Sequence, residues 1–190
     1  MHRRFYNDPG HAHFLTFSCY HKHQLLTSYR VRGLLAESIN DARQKHDFSL
    51  WAYVFMPDHV HLLIHPNREM YSIAKIIRDI KEPVSQSFMS HLRKTAPWDL
   101  GKLKARQGKR EVHRFWQAGG GFDRNLFAWD EIEEKIDYIE LNPVRRKLVK
   151  VPNDWEWSSA RARTVVDEAP LPVDTPIVCA CSEQGELRKP

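Results

Sequence analysis

The stretch Tyr53-Val-Phe-Met-Pro-Asp-His-Val-His-Leu-Leu-Ile-His-Pro66 places two apolar runs on either side of a Met-Pro-Asp break. Both runs are short and rich in β-branched and aromatic residues, so they read as a hairpin of two strands, Phe48 to Phe55 and His59 to His65. Residues two apart in a strand share a face. Val60, Leu62 and Ile64 therefore point together towards a core, while His59 and His61 project together from the opposite face. Two imidazoles so placed can converge on one metal ion. They can equally be two surface histidines on an open sheet face, because a lone His-x-His costs little there. His65 shares the face but lies farther along, where solvent is its expected neighbour.

Working outward, His13-Phe-Leu-Thr-Phe-Ser-Cys-Tyr20 alternates as a first strand. Val31 to His46 carries Val31, Leu34, Leu35, Ser38, Ile39 and Ala42 at helical spacing. Ser72 to Leu92 is a second amphipathic helix with Ile73, Ile76, Ile77 and Ile80 on one stripe, and Pro83 is expected to kink or split it. Gly101 to Arg114 reads as a loop or loose hairpin, holding six Lys or Arg against one Glu. Arg114-Phe-Trp-Gln117 is the expected fourth strand, followed by a turn at Gly119 to Gly121. A third helix runs from about Asp130, a plausible N-cap, to Asn142. A short helix docked by Trp155 and Trp157 closes a domain over 1–163, and the Pro-rich stretch 164–190 reads as an extended tail. The order strand, helix, strand, strand, helix, strand predicts an α+β, ferredoxin-like antiparallel sheet with helices on one face, leaving the other face open for chemistry.

Bulk properties narrow the function. At 190 residues the chain can bury one core, and 42% hydrophobic with 28% charged residues is ordinary for a globular protein. A net charge of +5 and a pI near 9.2 favour an anionic partner, nucleic acid first. Cys19, Cys179 and Cys181 are odd in number with no C-x-x-C spacing, which argues against a disulfide framework or a cysteine zinc site. The polar start and the lack of any apolar run near 20 residues point to a cytoplasmic protein without a membrane span.

The third helix offers the histidines company. Ile132, Ile136 and Ile139 form its core stripe, and at about 100° per residue Tyr138 lies roughly 120° from that stripe, at the helix edge. Asn142 lies one turn further on the same side. Each has a plain alternative: Tyr138 as an amphipathic edge residue, and Asn142 before Pro143 as a helix terminator.

Taken together, Met-Pro-Asp-His-Val-His-Leu-Leu-Ile64, Phe115-Trp-Gln117, Tyr138-Ile-Glu-Leu-Asn-Pro-Val-Arg-Arg-Lys-Leu-Val149 and Asp154-Trp-Glu-Trp-Ser-Ser-Ala-Arg-Ala162 resemble the REP-associated tyrosine transposases. These belong to the HUH single-tyrosine transposase superfamily, in which two histidines flank a hydrophobic residue, here Val60. The resemblance extends from the first strand to about Ala162. It implies an HUH endonuclease fold that nicks and rejoins single-stranded DNA beside an imperfect hairpin through a 5′-phosphotyrosine. On the same basis His59 and His61 match the two histidine ligands of a divalent metal, Tyr138 the nucleophile, and Asn142 the helix position that completes the metal site. The basic insertion between Leu92 and Phe115 and the glycine triplet depart from the family's usual pattern.

That chemistry has physical sense. Phosphodiester cleavage by a side chain needs a nucleophile, a sink for phosphate charge and alignment. The phosphotyrosine conserves the bond energy, and the glycine triplet is followed by Phe-Asp-Arg rather than the Lys and Ser or Thr of a nucleotide-binding loop. Mg2+ or Mn2+ would serve two imidazoles and an amide oxygen. Lys102, Lys104, Arg106, Lys109, Arg110 and Arg114 are the first candidate phosphate-binding strip, with Arg145, Arg146 and Lys147 a second; a solvated loop is the alternative for the former. Phe122 and Trp116 could stack bases, with a core or docking role the favoured alternative for Trp116. Monomer and homodimer are both compatible with the sequence. Two rival readings stay open: a domesticated, non-catalytic DNA-hairpin binder, and a metal hydrolase that uses water as nucleophile.

Overall fold

The computed structural model describes residues 7–165 and 169–176. In chain order the elements are β1 (Ala12–Ser18), α1 (Tyr29–His46), β2 (Phe48–Phe55), β3 (His59–Pro66), α2 (Ile73–Thr95), β4 (Lys104–Gln107) and β5 (Arg110–His113). They continue with β6 (Phe122–Leu126), α3 (Trp129–Glu140), α4 (Asn142–Arg145) and α5 (Ser159–Thr164). The main sheet has the order β2-β3-β1-β6 and is antiparallel throughout, which is the ferredoxin-like arrangement that the element order predicts.

The histidine hairpin forms as its pattern requires. Met-Pro-Asp makes the tip, closed by Met56 N–H to the His59 carbonyl at 2.9 Å. Val60, Leu62 and Ile64 join Leu15, Phe17, Tyr53 and Phe55 beneath α1 and α2. A bulge at Trp51 breaks the alternation of β2, so Leu50 and Tyr53, three apart, share that core while Trp51 and Ala52 face the other way. Helix α2 starts at Ser72, whose hydroxyl accepts from Lys75 N–H, and runs unbroken through Pro83. Proline has no N–H for the Asp79 carbonyl. The Ser38 hydroxyl of α1 is 3.3 Å from that oxygen and 2.8 Å from the Ile80 carbonyl, which lets the helix continue where the sequence suggests a split.

Two local expectations change. The face opposite α1 and α2 is not free: α3 lies on it, with Ile132 and Ile139 packed against Phe14, Val54, Leu63 and Leu126. That face carries its own apolar cluster beside the histidines, so burial dictates a cover. Arg114 to Gln117 is not the fourth strand. Trp116 makes a single bridge to Cys19, and Phe115 and Trp116 are buried with α2; the fourth strand is the more polar Phe122–Leu126. The basic segment takes the hairpin form of its two expected readings, β4 and β5, turning at Gly108 with φ of 61°.

Residues 169–176 are extended yet docked on the exposed edge of β2. Leu50 N–H donates to the Asp174 carboxylate and Asp174 N–H to the Leu50 carbonyl, both at 2.8 Å, while Arg43 pairs with Asp174. A bridge from Ser158 to Val54 covers the rest of this edge, which would otherwise invite pairing with another strand. Trp157 is buried as expected, and Ser158 caps α5. Cys19 is a buried free thiol; Cys179, Cys181 and the end of the tail lie outside the described residues. No helix among the described residues is long and apolar enough to cross a membrane.

Candidate active site

The site forms where β1 ends and β3 begins. Antiparallel register sets Ser18 opposite His59 and Thr16 opposite His61, so both imidazoles rise from the centre of the sheet. They are only 4% and 5% exposed, and their rings lie 4.8 Å apart at 82°. Each ring is fixed through Nδ1: His59 by Asp58 Oδ1 at 2.6 Å, His61 by Thr16 Oγ1 at 2.7 Å. Nε2 of each has no hydrogen-bond partner among the described residues. A metal-ligating histidine is commonly oriented in this way, with the second nitrogen donating to an outer group.

Electrostatics keep the rings neutral, as ligands must be. Burial pushes His61 down to about 3, helped by the charges of His59, Lys22 and Arg146. Burial also lowers His59, with Asp58 opposing the shift. For Asp58 itself burial acts upward, but the bond from His59 and the charges of His59, Lys22 and Arg146 outweigh it and hold the carboxyl below its ordinary value.

Helix α3 brings Tyr138 to this pair. Its ring centroid is 5.5 Å from that of His61 and meets Phe14 edge-on at 5.8 Å, while Phe14 stacks on His61 at 5.4 Å. The Arg145 guanidinium lies 5.2 Å from the Tyr138 ring centroid and Lys135 Nζ 5.7 Å from it. The helix stops at Leu141 because Asn142 precedes Pro143, and α4 starts there. Asn142 is 6% exposed and its Oδ1 is buried with no hydrogen-bond partner. A buried acceptor left unmade costs about 1–3 kcal/mol, so this one asks for an explanation. It lies one turn past Tyr138, which touches His61, and four residues before Arg146, whose charge acts on both histidines. Two free imidazole nitrogens and one orphaned amide oxygen fit a divalent cation. Among the described residues no three His, Cys, Asp or Glu gather into a metal cluster, so Asn142 is the candidate third donor.

The basic candidates divide into two groups. Arg145 and Arg146 stand at the site itself. The others belong to or adjoin the β4–β5 hairpin: Arg106, Lys109 and Arg110 are exposed, Lys102 pairs with Asp99 at 2.6 Å, Lys104 with Glu111 at 3.1 Å, and Arg114 is half-buried at the base. The hairpin is tied to the active end of β1, since Tyr20 N–H donates to the Phe115 carbonyl and the Tyr20 hydroxyl to the Lys104 carbonyl. Phe122 is partly exposed and packs edge-on against Phe14, whereas Trp116 is buried core. Sequence reasoning missed Asp58, Thr16, Phe14 and Lys22. Asp58 was legible as the neighbour of His59, but Thr16 needs the strand register and Lys22 the course of a turn.

The family model described as "Transposase IS200 like" matches residues 9–102, which include the whole histidine hairpin. A Haemophilus influenzae protein named "Putative REP-associated tyrosine transposase" is 27% identical over 139 residues, covering 68% of this chain and 73% of that protein. A solved structure of a REP-associated tyrosine transposase bound to a REP hairpin superposes with a TM-score of 0.66 at 21% identity, covering 98% of this chain and 96% of the other, and thereby shares the fold. With the His-x-His strand and the helix of Tyr138 in place, residues 9–102 match the IS200-like transposase family, and the chain is similar to the REP-associated tyrosine transposases.

Proposed function

We propose that the protein is a metal-dependent transposase and endonuclease that nicks and rejoins single-stranded DNA beside a hairpin, with Tyr138 as the nucleophile. The observation that carries this reading is the meeting of the Tyr138 ring with His61, beside two imidazoles that keep Nε2 free and a buried Asn142 Oδ1 with no partner. His59, His61 and Asn142 would hold Mg2+ or Mn2+. The ion would supply Lewis-acid stabilisation of phosphate charge and align the scissile linkage.

The chain's own groups supply the rest. Asp58 and Thr16 set the ring orientations, and Phe14 packs His61 against Tyr138. The Tyr138 oxygen gives up its proton to solvent and bonds to phosphorus; the bond to the 3′ oxygen breaks, and that oxygen leaves as a hydroxyl after taking a proton. The product is a 5′-phosphotyrosine that a DNA 3′-hydroxyl can attack in reverse, so strands are rejoined without a nucleoside triphosphate. Arg145 and Arg146 place positive charge beside the phosphate, and the β4–β5 hairpin offers Arg106, Lys109 and Arg110 to the backbone. The relative solved with a REP hairpin favours hairpin-bearing DNA as the partner here.

The test is incubation with a library of hairpin-bearing oligonucleotides and Mg2+ or Mn2+. A covalent adduct is expected, absent in Tyr138→Phe and strongly reduced in His61→Ala. Binding without cleavage would favour a non-catalytic hairpin binder, and cleavage without an adduct would favour water as nucleophile.

A further inference from the structure

The turn after β1 contains two consecutive non-glycine residues in the left-handed region, His21 at φ 50° and Lys22 at φ 59°. The other two such residues, Asp47 and Lys147, stand singly just past helix ends, where this conformation is common. Consecutive left-handed residues are unfavourable for L-amino acids and persist only where their surroundings over-determine them. Here they do. Lys22 N–H bonds the Cys19 carbonyl at 3.1 Å, His23 N–H the Tyr20 carbonyl at 3.0 Å, and Tyr20 N–H the Phe115 carbonyl at 2.8 Å, while Leu26 N–H fastens the far end to the Pro57 carbonyl at 3.0 Å. The turn is thus clamped between the basic hairpin and the tip of the histidine hairpin.

What this conformation delivers is the Lys22 ammonium. Its Nζ donates to Ser18 Oγ at 3.0 Å and lies 3.8 Å from Asp58 Oδ2, and Ser18 is opposite His59 in the sheet. The charge acts on both histidines, as does that of Arg146, the residue that ends α4. Two cations from separate segments of the chain therefore act on the pair. The Lys22 side chain remains 62% exposed, so it is open to solvent and to an incoming ligand. Among the described residues its one carboxylate contact is long, and Asp58 is already engaged by His59 at 2.6 Å. An exposed pair of that length contributes little to stability and gives no reason to hold two residues left-handed.

We propose that Lys22 binds the scissile phosphate, exchanging its loose contact with Asp58 for a non-bridging oxygen of the DNA linkage that Tyr138 attacks. This rests on the phosphotyrosine reading above. Lysine suits the role as a compact point charge that needs no bidentate geometry, and the strained turn is then a device that holds its backbone beside the histidines.

The experiment has two parts. In single-turnover adduct formation, Lys22→Ala should slow the reaction roughly tenfold to a hundredfold, Lys22→Arg should recover most of the loss, and neither should move the thermal midpoint. In binding, Tyr138→Phe protein with and without Lys22→Ala is titrated with oligonucleotides carrying either a phosphodiester or an uncharged methylphosphonate at the linkage that the wild type cuts. Lys22→Ala should weaken the charged ligand by roughly fivefold or more and leave the neutral one unchanged. Equal loss on both ligands, or adduct formation by Lys22→Ala at the wild-type rate, would overturn the Lys22 role while leaving Tyr138 in place. A wild-type protein that forms no adduct overturns the phosphotyrosine reading and Lys22 with it.

Discussion

His61 sits in the centre of the sheet without its charge, and this has a consequence for pH. Its value in the folded protein is pushed down to about 3 by burial, against about 6.5 when unfolded. Above pH 6.5 both states are neutral and its contribution to stability is fully present. As pH falls below 6.5 the unfolded chain takes up a proton that the folded chain refuses, so stability is lost. Between pH 6.5 and 5 the loss from His61 alone should reach about 2 kcal/mol. Urea unfolding in the presence of a chelator should show it, and His61→Gln should flatten the dependence. Asn142 makes the complementary case. If its orphaned Oδ1 is a ligand, Mn2+ should raise the thermal midpoint of the wild type and raise that of Asn142→Ala much less. At this scale the sequence showed much: His59 and His61 on one face, Tyr138 off the core stripe and Asn142 at a helix end were all readable from period and breakers. Thr16 and Lys22 were not, because nothing local marks a residue whose role is fixed by a partner strand or by a left-handed turn.

Elements repeat that division. The strands β2 and β3 and the helix α1 were legible because each is long, periodic and bounded by Pro, Asp or a polar turn. The fourth strand was not. Phe-Asp-Arg-Asn-Leu126 is an edge strand with alternating exposure and little apolar content, and the nearby Phe115 and Trp116, which look like a strand, are instead wedged into the core under α2. The device that starts β6 is Gly121, at φ 80°, where an added Cβ would stand 2.2 Å from the Thr16 carbonyl oxygen. Gly121→Ala should therefore cost about 2 kcal/mol or more, seen in the thermal midpoint. Because Thr16 also bonds His61, the same change should slow adduct formation in whatever fraction remains folded. The open sheet face expected from the element order failed for a similar reason: Phe14, Val54 and Leu63 are apolar on that side too, and α3 is their cover, with Tyr138 carried along. The cover brings Tyr138 to the histidine pair.

At the scale of the whole molecule, one end of the sheet carries a group of cations. Lys22, Arg145 and Arg146 stand around the histidines, and the β4–β5 hairpin is tied to the same end of β1 through Tyr20. A protein of net charge +5 with this distribution should bind DNA with a strong salt dependence. Replacing Lys109 and Arg110 by Gln should reduce the slope of log affinity against log salt by about 0.7 for each single-strand phosphate that the hairpin then leaves unneutralised; an unchanged slope would assign the hairpin to solvent. The opposite edge is handled differently, with Ser158 and Asp174 pairing to β2 and closing the sheet against strand addition. The most direct measurement of the central claim is mass spectrometry of the trypsin-digested adduct formed with a cleavable hairpin oligonucleotide and Mn2+. The account predicts a nucleotide remnant attached through its 5′ phosphate to the peptide bearing Tyr138. Attachment at any other residue, or cleaved DNA with no peptide attached, would contradict it.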